Sequence, residues 1–301
     1  MKFRGLDLNL LVALDVLLAE QNISRAAEKM HLSQSAMSGA LGRLREWFED
    51  ELLVQIGRRH ELTPLAEALK DPVHDLLARA EATVAIQPGF NAEGSNRVFR
   101  LLCSDYVTAV LMPSVLEMAW QASKTVRFDL LPVASDPERL LAGREIDLLV
   151  TPSMYCAAEH PKQELFRIGY SCVVWDGSTC FGDSISLEEY LSAGHAALQF
   201  GEERADGVEG GYLKSIGLVR RVEITTSSMH GLASLVVGTD RIATVHTRLA
   251  ETACAILPLR ILPLPVEIPQ IIEVMQWHKH RSQDAGLTWL RGLMVDAAAR
   301  L

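Results

Sequence analysis

SRAAEKMHLSQSAMSGALGRLREWF, residues 24–48, reads as two short helices separated by a tight turn. Ser24 is placed to cap the first of them, Arg25 to Met30, by offering its hydroxyl to a free backbone N–H of the first turn. Ala26 and Ala27 are small enough for a second helix to cross closely. Ser33 is the next capping candidate and opens a helix that runs to Phe48. On that helix Met37, Leu41, Leu44 and Phe48 recur at spacings of four, three and four, which makes one buried stripe. The opposite face carries Gln34, Ser35, Ser38, Gly39, Gly42 and Arg45. It is nearly all small, with hydrogen-bonding groups gathered at the N-terminal end. A surface helix ordinarily displays long Glu and Lys side chains. A helix lying in a major groove needs small residues for close approach and a few donors and acceptors for base edges, glutamine suiting adenine. On pattern alone, an ordinary helical hairpin with solvated serines stands beside that reading.

Working outward, Asp7 can cap an earlier helix in which Leu10, Leu14, Leu17 and Leu18 share one side and back the hairpin. Leu52–Leu62 reads as two short strands around Gly57-Arg58-Arg59, a wing whose arginines reach phosphates or a minor groove, or only form a solvated turn. Thr63-Pro64 starts a long helix with proline at its first position. Along it Leu65, Leu69, Val73, Leu76 or Leu77, Ala80 and Val84 form a stripe that needs a partner helix, most simply its copy in a second subunit. Asp71-Pro72 is expected to kink or restart this helix. Gln87 to Asn96 has the glycine, proline and serine content of a linker. Beyond it strands are expected at 98–104, 126–133, 146–150, 195–200, 219–225, 241–245 and 268–278. Helices are expected at 108–121, after a capping box at Ser186–Glu189, and at 283–301. The alternation implies a mainly parallel sheet with helices on both faces.

The 301 residues, 49% hydrophobic and 22% charged, are enough for two or three cored units. No apolar run of about eighteen residues occurs, so no membrane span is expected. Asp7, Asn9 and Asp15 interrupt the leucine-rich start, which reads as a folded helix and not a signal peptide. A net charge of −9 argues against a nucleic-acid partner, but contacts act within a Debye length of ~8–10 Å. Locally, residues 21–45 hold Arg25, Lys29, Arg43 and Arg45 against Glu28 alone, before Glu46, Glu49, Asp50 and Glu51 follow. That is a basic spot, not a basic domain. The five cysteines form no C-x-x-C pair and read as reduced, cytosolic thiols. Cys156 with His160 lacks further zinc ligands, and His278 with His280 is either a metal-compatible pair on one strand face or a polar edge. Nucleophile-elbow, zincin and P-loop motifs are absent. The expectation is no enzyme, no cofactor and no metal.

Residues 24–48, together with LDLNLLVALDVLL at 6–18, resemble the winged helix-turn-helix of LysR-type transcriptional regulators, and the chain follows that family in length and order. LLPVASDPERLLAGREIDLLV, 130–150, and GTDRIATVHTRLA, 238–250, resemble its branch of nodulation-gene activators and salicylate- or nitroaromatic-responsive regulators. The resemblance implies an α/β protein with a winged helix-turn-helix at 1–62, a dimerising linker helix at 63–88 and a two-lobed, periplasmic-binding-protein-like effector domain at 97–301. Lobe I would take about 97–162 and 268–301 and lobe II about 163–267, with crossings near Pro161–Glu164 and Val266–Pro269. Gln34, Ser35 and Ser38 would meet base edges, with Gly39 permitting approach, while Ser33, Arg43, Arg58 and Arg59 hold phosphates. Leu65, Leu69, Val73, Leu76, Ala80 and Val84 would carry dimerisation, although Leu65-Ala66 stands where the family has Ala-Gly.

Ligands of open parallel sheets bind at strand C-terminal ends. That rule places Ser104, Asp105, Thr151, Phe200 and the turn ending at Met229 around one cleft. In aromatic-responsive relatives the cleft holds the inducer, and Ser104, Leu111 and His195 stand at pocket positions. Two readings of His195 remain, a donor to the ligand or an ordinary buried strand histidine. Gly169 and Gly238 fall where salicylate-type relatives carry His and Arg, and His246 replaces a proline at the rim. Those departures favour a phenolic or neutral aromatic ligand over a carboxylate. The partners implied are double-stranded DNA with an interrupted palindromic operator, a small aromatic inducer, a second or further copies as homodimer or homotetramer, and RNA polymerase. No membrane is implied. A two-lobed receptor without a direct DNA role is the alternative.

Overall fold

The computed structural model describes residues 7–56, 59–84, 89–201 and 203–301, with all their side chains except those of Arg59, Glu81, Ala82 and Val84. The chain divides into two compact units, Met1–Ile86 and Gln87–Leu301. Among the described residues no helix is long and apolar enough to cross a membrane.

The first unit runs α1 (Leu8–Glu20), α2 (Ile23–Lys29), α3 (Gln34–Phe48), β1 (Leu53–Ile56), β2 (Arg59–Leu62) and α4 (Pro64–Val84). Each helix starts on a side-chain oxygen that satisfies a backbone N–H. Asp7 accepts from Leu10 N at 2.8 Å, Ser33 from Ala36 N at 3.2 Å and Thr63 from Ala66 N at 3.1 Å. The cap of α2 is Asn22, which accepts from Arg25 N at 3.0 Å, and not Ser24. Asn22 has the extended backbone a cap requires, whereas Ser24 already lies inside the helix. Leu10, Leu14, Leu17 and Leu18 meet Ala26, Ala27, Met37, Leu41 and Leu44 in one core.

Helix α4 changes the expected use of its apolar stripe. Ala66, Val73 and Leu77 are buried in that same core, with Leu69 packed at its margin, and Asp15 on α1 pairs with His74 at 3.2 Å. The partner of this face is α1 of the same chain, so Val73 is not free for a second subunit. A second row, Leu65, Ala68, Pro72 and Leu76, lies exposed beside half-buried Ala80. Pro72 does not restart the helix, which is continuous through it.

The second unit contains β3 (Val98–Leu102), α5 (Asp105–Val110), α6 (Met112–Ala122), β4 (Arg127–Leu131), α7 (Pro137–Ala142), β5 (Leu148–Pro152), β6 (Lys162–Ile168) and β7 (Tyr170–Trp175). It continues with α8 (Leu187–Ser192), β8 (Gly194–Phe200), β9 (Ala205–Asp206), α9 (Val208–Ser215), β10 (Arg221–Thr226), β11 (Ile242–His246), α10 (Thr247–Ile256), β12 (Leu259–Leu262), β13 (Ile271–Gln276) and α11 (Ala285–Ala298). The expected single helix over 108–121 is two. Ser104 captures Val107 N at 3.2 Å and starts α5 early, and Pro113, with no N–H to give, opens α6.

One sheet has the order β4-β3-β5-β13-β6 and the other β10-β8-β11-β7-β12, with β9 beside β8. Neither is mainly parallel. β3 pairs parallel with β4 and β5, and β8 with β10 and β11, but β13, β6, β7 and β12 join antiparallel. β6 pairs along its length with β13, so the first crossing between lobes is at Gly169 and not at 161–164. The lobe II expected from 163 therefore begins at β7. A shared core joins the lobes, with Tyr106, Phe166 and Ile168 from one and Val173, Val245 and Leu249 from the other.

Candidate DNA-reading face and effector cleft

Ser33 at the cap of α3, Gln34, Ser35, Ser38 and Gly39 in its N-terminal half and Arg43 farther along are all exposed. The Ser33 and Ser35 hydroxyls lie 3.0 Å apart, and space is open around Gly39 and Gly42. Ala36 is exposed on the same face and adds a methyl group that the serine-and-glutamine pattern did not single out.

The basic spot is smaller than its sequence suggests. Arg25 and Lys29 both reach Glu20, at 3.5 and 3.1 Å. Arg45 turns away from the reading face and donates to the carbonyls of Glu51 and Leu53 at 2.8 and 2.7 Å, tying α3 to the root of the wing. Arg43 makes no ion pair among the described residues. β1 and β2 pair antiparallel from Leu53↔Leu62 to Ile56↔Arg59, so Arg59 belongs to a strand end. Arg58 and the side chains of Arg59 and Val84 lie outside what the structure describes.

In the second unit, the C-terminal ends of β3, β5, β8, β10 and β11 border the seam between lobes. Asp105 spans it, its Oδ2 accepting from Ser228 Oγ at 3.3 Å and His230 N at 3.2 Å. Ser104 caps α5, while Thr151, Phe200, Met229 and Gly169 are half-buried near the seam and Leu111 is wholly in the core. His246, at the C-terminal end of β11, sits 4.6 Å from the Tyr106 ring and 5.0 Å from that of Tyr170. Burial pushes its pKa down to about 4, against the pull of Asp105, so it is neutral near pH 7.

His195 does not belong to this group. It lies near the opposite, N-terminal end of β8, fully buried, with Nε2 donating to the Tyr190 carbonyl and its ring 4.7 Å from that of Tyr190. Burial pushes it too to about 4. It is a core histidine. His278 and His280 are off the strand, in a turn beside His160, with ring separations of 5.0 and 5.3 Å. Among the described residues no group of three or more His, Cys, Asp or Glu is placed to hold a metal.

Four residues at the seam were not anticipated: Tyr106, Phe166, Tyr170 and Glu273. Glu273 is buried on β13, opposite both Phe166 and Pro152. Burial alone pushes it up to about 8. The one sequence signal was an isolated acid within the apolar run of IIEVMQ.

Two family profiles match the chain: a bacterial regulatory helix-turn-helix protein of the lysR family over residues 8–67, and a LysR substrate binding domain over 92–299. Nodulation protein D 3 of Rhizobium leguminosarum bv. phaseoli is 38% identical over 301 residues, covering 100% of both chains. Nodulation protein D 1 of Rhizobium tropici is 38% identical over 100% of this chain and 98% of its own. A probable transcriptional regulator from Pseudomonas aeruginosa superposes with a TM-score of 0.64 at 26% identity, over 97% of each chain. ArgP from Mycobacterium tuberculosis shares the fold, with a TM-score of 0.69 at 16% identity over 98% of each. With its reading helix and its two-lobed second unit matched by the two profiles, the chain belongs to the LysR family of transcriptional regulators, which bind DNA and small-molecule effectors and are not enzymes.

Proposed function

We propose that the protein binds an interrupted palindromic operator as a homodimer or homotetramer and switches a signal-responsive or catabolic operon on binding a small neutral aromatic. The observation carrying this reading is the exposed, small-residue N-terminal half of α3, with Arg43 farther along it making no ion pair among the described residues. Gln34, Ser35 and Ser38 read base edges, Ala36 meets a thymine methyl, and Gly39 lets the helix approach. Ser33, Arg43, Arg58 and Arg59 hold phosphates. Two copies join through the exposed row of α4, Leu65 and Leu76 with Ala80, which sets two reading helices on one duplex. RNA polymerase is the further partner, and the site of action is the cytoplasm, where the operator lies.

Effector binding in the seam beside Asp105 shifts the lobes between two arrangements, and the ligand stabilises one of them more than the other. A gel-shift series tests the DNA reading. Gln34→Ala should cost about 1–3 kcal/mol on the preferred operator and little elsewhere. Arg43→Ala should weaken all sequences alike and flatten the salt slope by ~0.9. Unchanged binding in both variants refutes the assignment.

A further inference from the structure

The seam between the lobes is a layer of rings with a carboxyl group behind it. Tyr106 stands 6.3 Å from Phe166 and 4.6 Å from His246, which in turn is 5.0 Å from Tyr170. Glu273 is the cross-strand partner of Phe166, and opposed residues of an antiparallel pair project from the same face. Its carboxyl group therefore lies on the face of the first sheet that carries Phe166 toward the rings. The phenols of Tyr106 and Tyr170 and the thiols of Cys103 and Cys156 lie close enough to feel a charge on it when it ionises.

Glu273 is 2% exposed and makes no hydrogen bond or ion pair among the described residues. None of the four groups that feel it is a cation, and no arginine or lysine offsets its burial. The Tyr170 hydroxyl is likewise buried without a hydrogen-bond partner. Buried polar groups in folded proteins are nearly always satisfied, and an exception calls for a reason. An orphaned hydroxyl and an almost fully buried carboxyl group with no hydrogen bond among the described residues share one ring-lined layer, level with the strand ends where ligands of such sheets bind, and point to a partner that arrives from outside.

We propose that Glu273 and Tyr170 are the polar recognition pair of the effector site, binding hydroxyl groups of an uncharged planar ligand held between Tyr106, Phe166 and His246, and turning carboxylates away. The inference rests on the seam being the effector site. A neutral Glu273 donates its O–H to one ligand oxygen and accepts from a ligand hydroxyl through its carbonyl oxygen. A carboxylate ligand would lie beside this carboxyl group, which has no cation of its own, because the nearby Arg248 acts on Tyr106 and not on Glu273. Entry requires the rings to separate, and the Asp105 bonds to Ser228 and His230 are the polar contacts that must give way.

The test uses full-length protein and calorimetric titration with 4,4′-dihydroxybenzophenone and with 4-benzoylbenzoate. Wild type should prefer the phenol by about tenfold or more. Glu273→Gln keeps a donor and an acceptor, so its phenol affinity should stay within about threefold of wild type. Glu273→Met should lose about five- to tenfold for the phenol, and Tyr170→Phe about fivefold, with no loss for the carboxylate. Glu273→Met removes an unsatisfied group and should melt at least as high as wild type, so misfolding does not confound it. Wild-type phenol affinity in Glu273→Met overturns the role of Glu273 and leaves the effector reading standing. Tighter wild-type binding of the carboxylate overturns the proposed selection. A Thr151→Trp variant that binds the phenol normally, or a wild type that binds neither probe at millimolar concentration, overturns both the proposal and the effector reading.

Discussion

Replacing Glu273 by methionine should stabilise the second unit, and by an amount that grows with pH. The unfolded chain releases this proton near the ordinary value of 4.5, whereas the folded chain holds it until about pH 8. Between those values the native state binds one more proton than the unfolded state, so this residue makes stability fall as pH rises. Its favourable share is fully present below about 4.5, declines through the window and is gone above the folded value. The separation is about 3.5 pH units at ~1.36 kcal/mol each, on the order of 4–5 kcal/mol by pH 8.5. Methionine at this site does not titrate and fills similar space. Urea unfolding followed by tryptophan fluorescence suits the measurement, because Trp120, Trp175, Trp277 and Trp289 all lie in this unit and only Trp47 lies outside it. The variant-minus-wild-type difference should be smallest at pH 4.5–5 and rise steadily to pH 8.5. A difference flat in pH, or a wild type that gains on the variant as pH rises, would refute the claim that burial keeps Glu273 protonated.

Asn22→Ala should cost about 1 kcal/mol in the first unit by calorimetry while Ser24→Ala costs little; the reverse order would contradict the cap seen here. Arg45→Ala should cost about 1–3 kcal/mol, because two carbonyl partners at the wing root are lost, and Arg45→Lys should not rescue it; an unchanged melting curve would dismiss the tie. Asp105→Ala should shift the lobes toward separation by about 1–2 kcal/mol, read as faster proteolysis at the Gly169 crossing, and equal cleavage rates would exclude the bridge. Leu76→Lys should give a smaller species in sedimentation while Leu77→Ala loses stability instead, since only Leu76 is exposed; an unaltered oligomer for Leu76→Lys would move the interface elsewhere.

Helix α3 and its flanks were legible because their signals are local. The Ser33 cap, the Met37–Leu41–Leu44 stripe and the Thr63-Pro64 start each depend on residues within one turn. What failed depended on distant partners. Val73 and Leu76 look alike along α4, and only the position of α1 decides which is covered. β6 opens with Lys162, Gln163 and Glu164 and is separated from β7 by Gly169 alone, so neither periodicity nor a turn signal announces two strands in different sheets. His195 was drawn toward the cleft by resemblance, although its place near the start of β8 puts it at the wrong end by the strand-end rule. Glu273 showed only as an acid in an apolar run, because its isolation is made by Phe166 and Pro152 from two other strands.

The two-sidedness of α4 also governs how the protein can be cut. A fragment ending at Leu62 would leave Leu14, Leu17 and Leu18 without the wall that Ala66, Val73 and Leu77 supply, and would aggregate or melt near ambient temperature. The smallest autonomous reader of DNA therefore carries α4 with it, together with the outward row of that helix. If two copies pair through that row as proposed, any such fragment keeps a means of self-pairing after the entire sensing half has been removed.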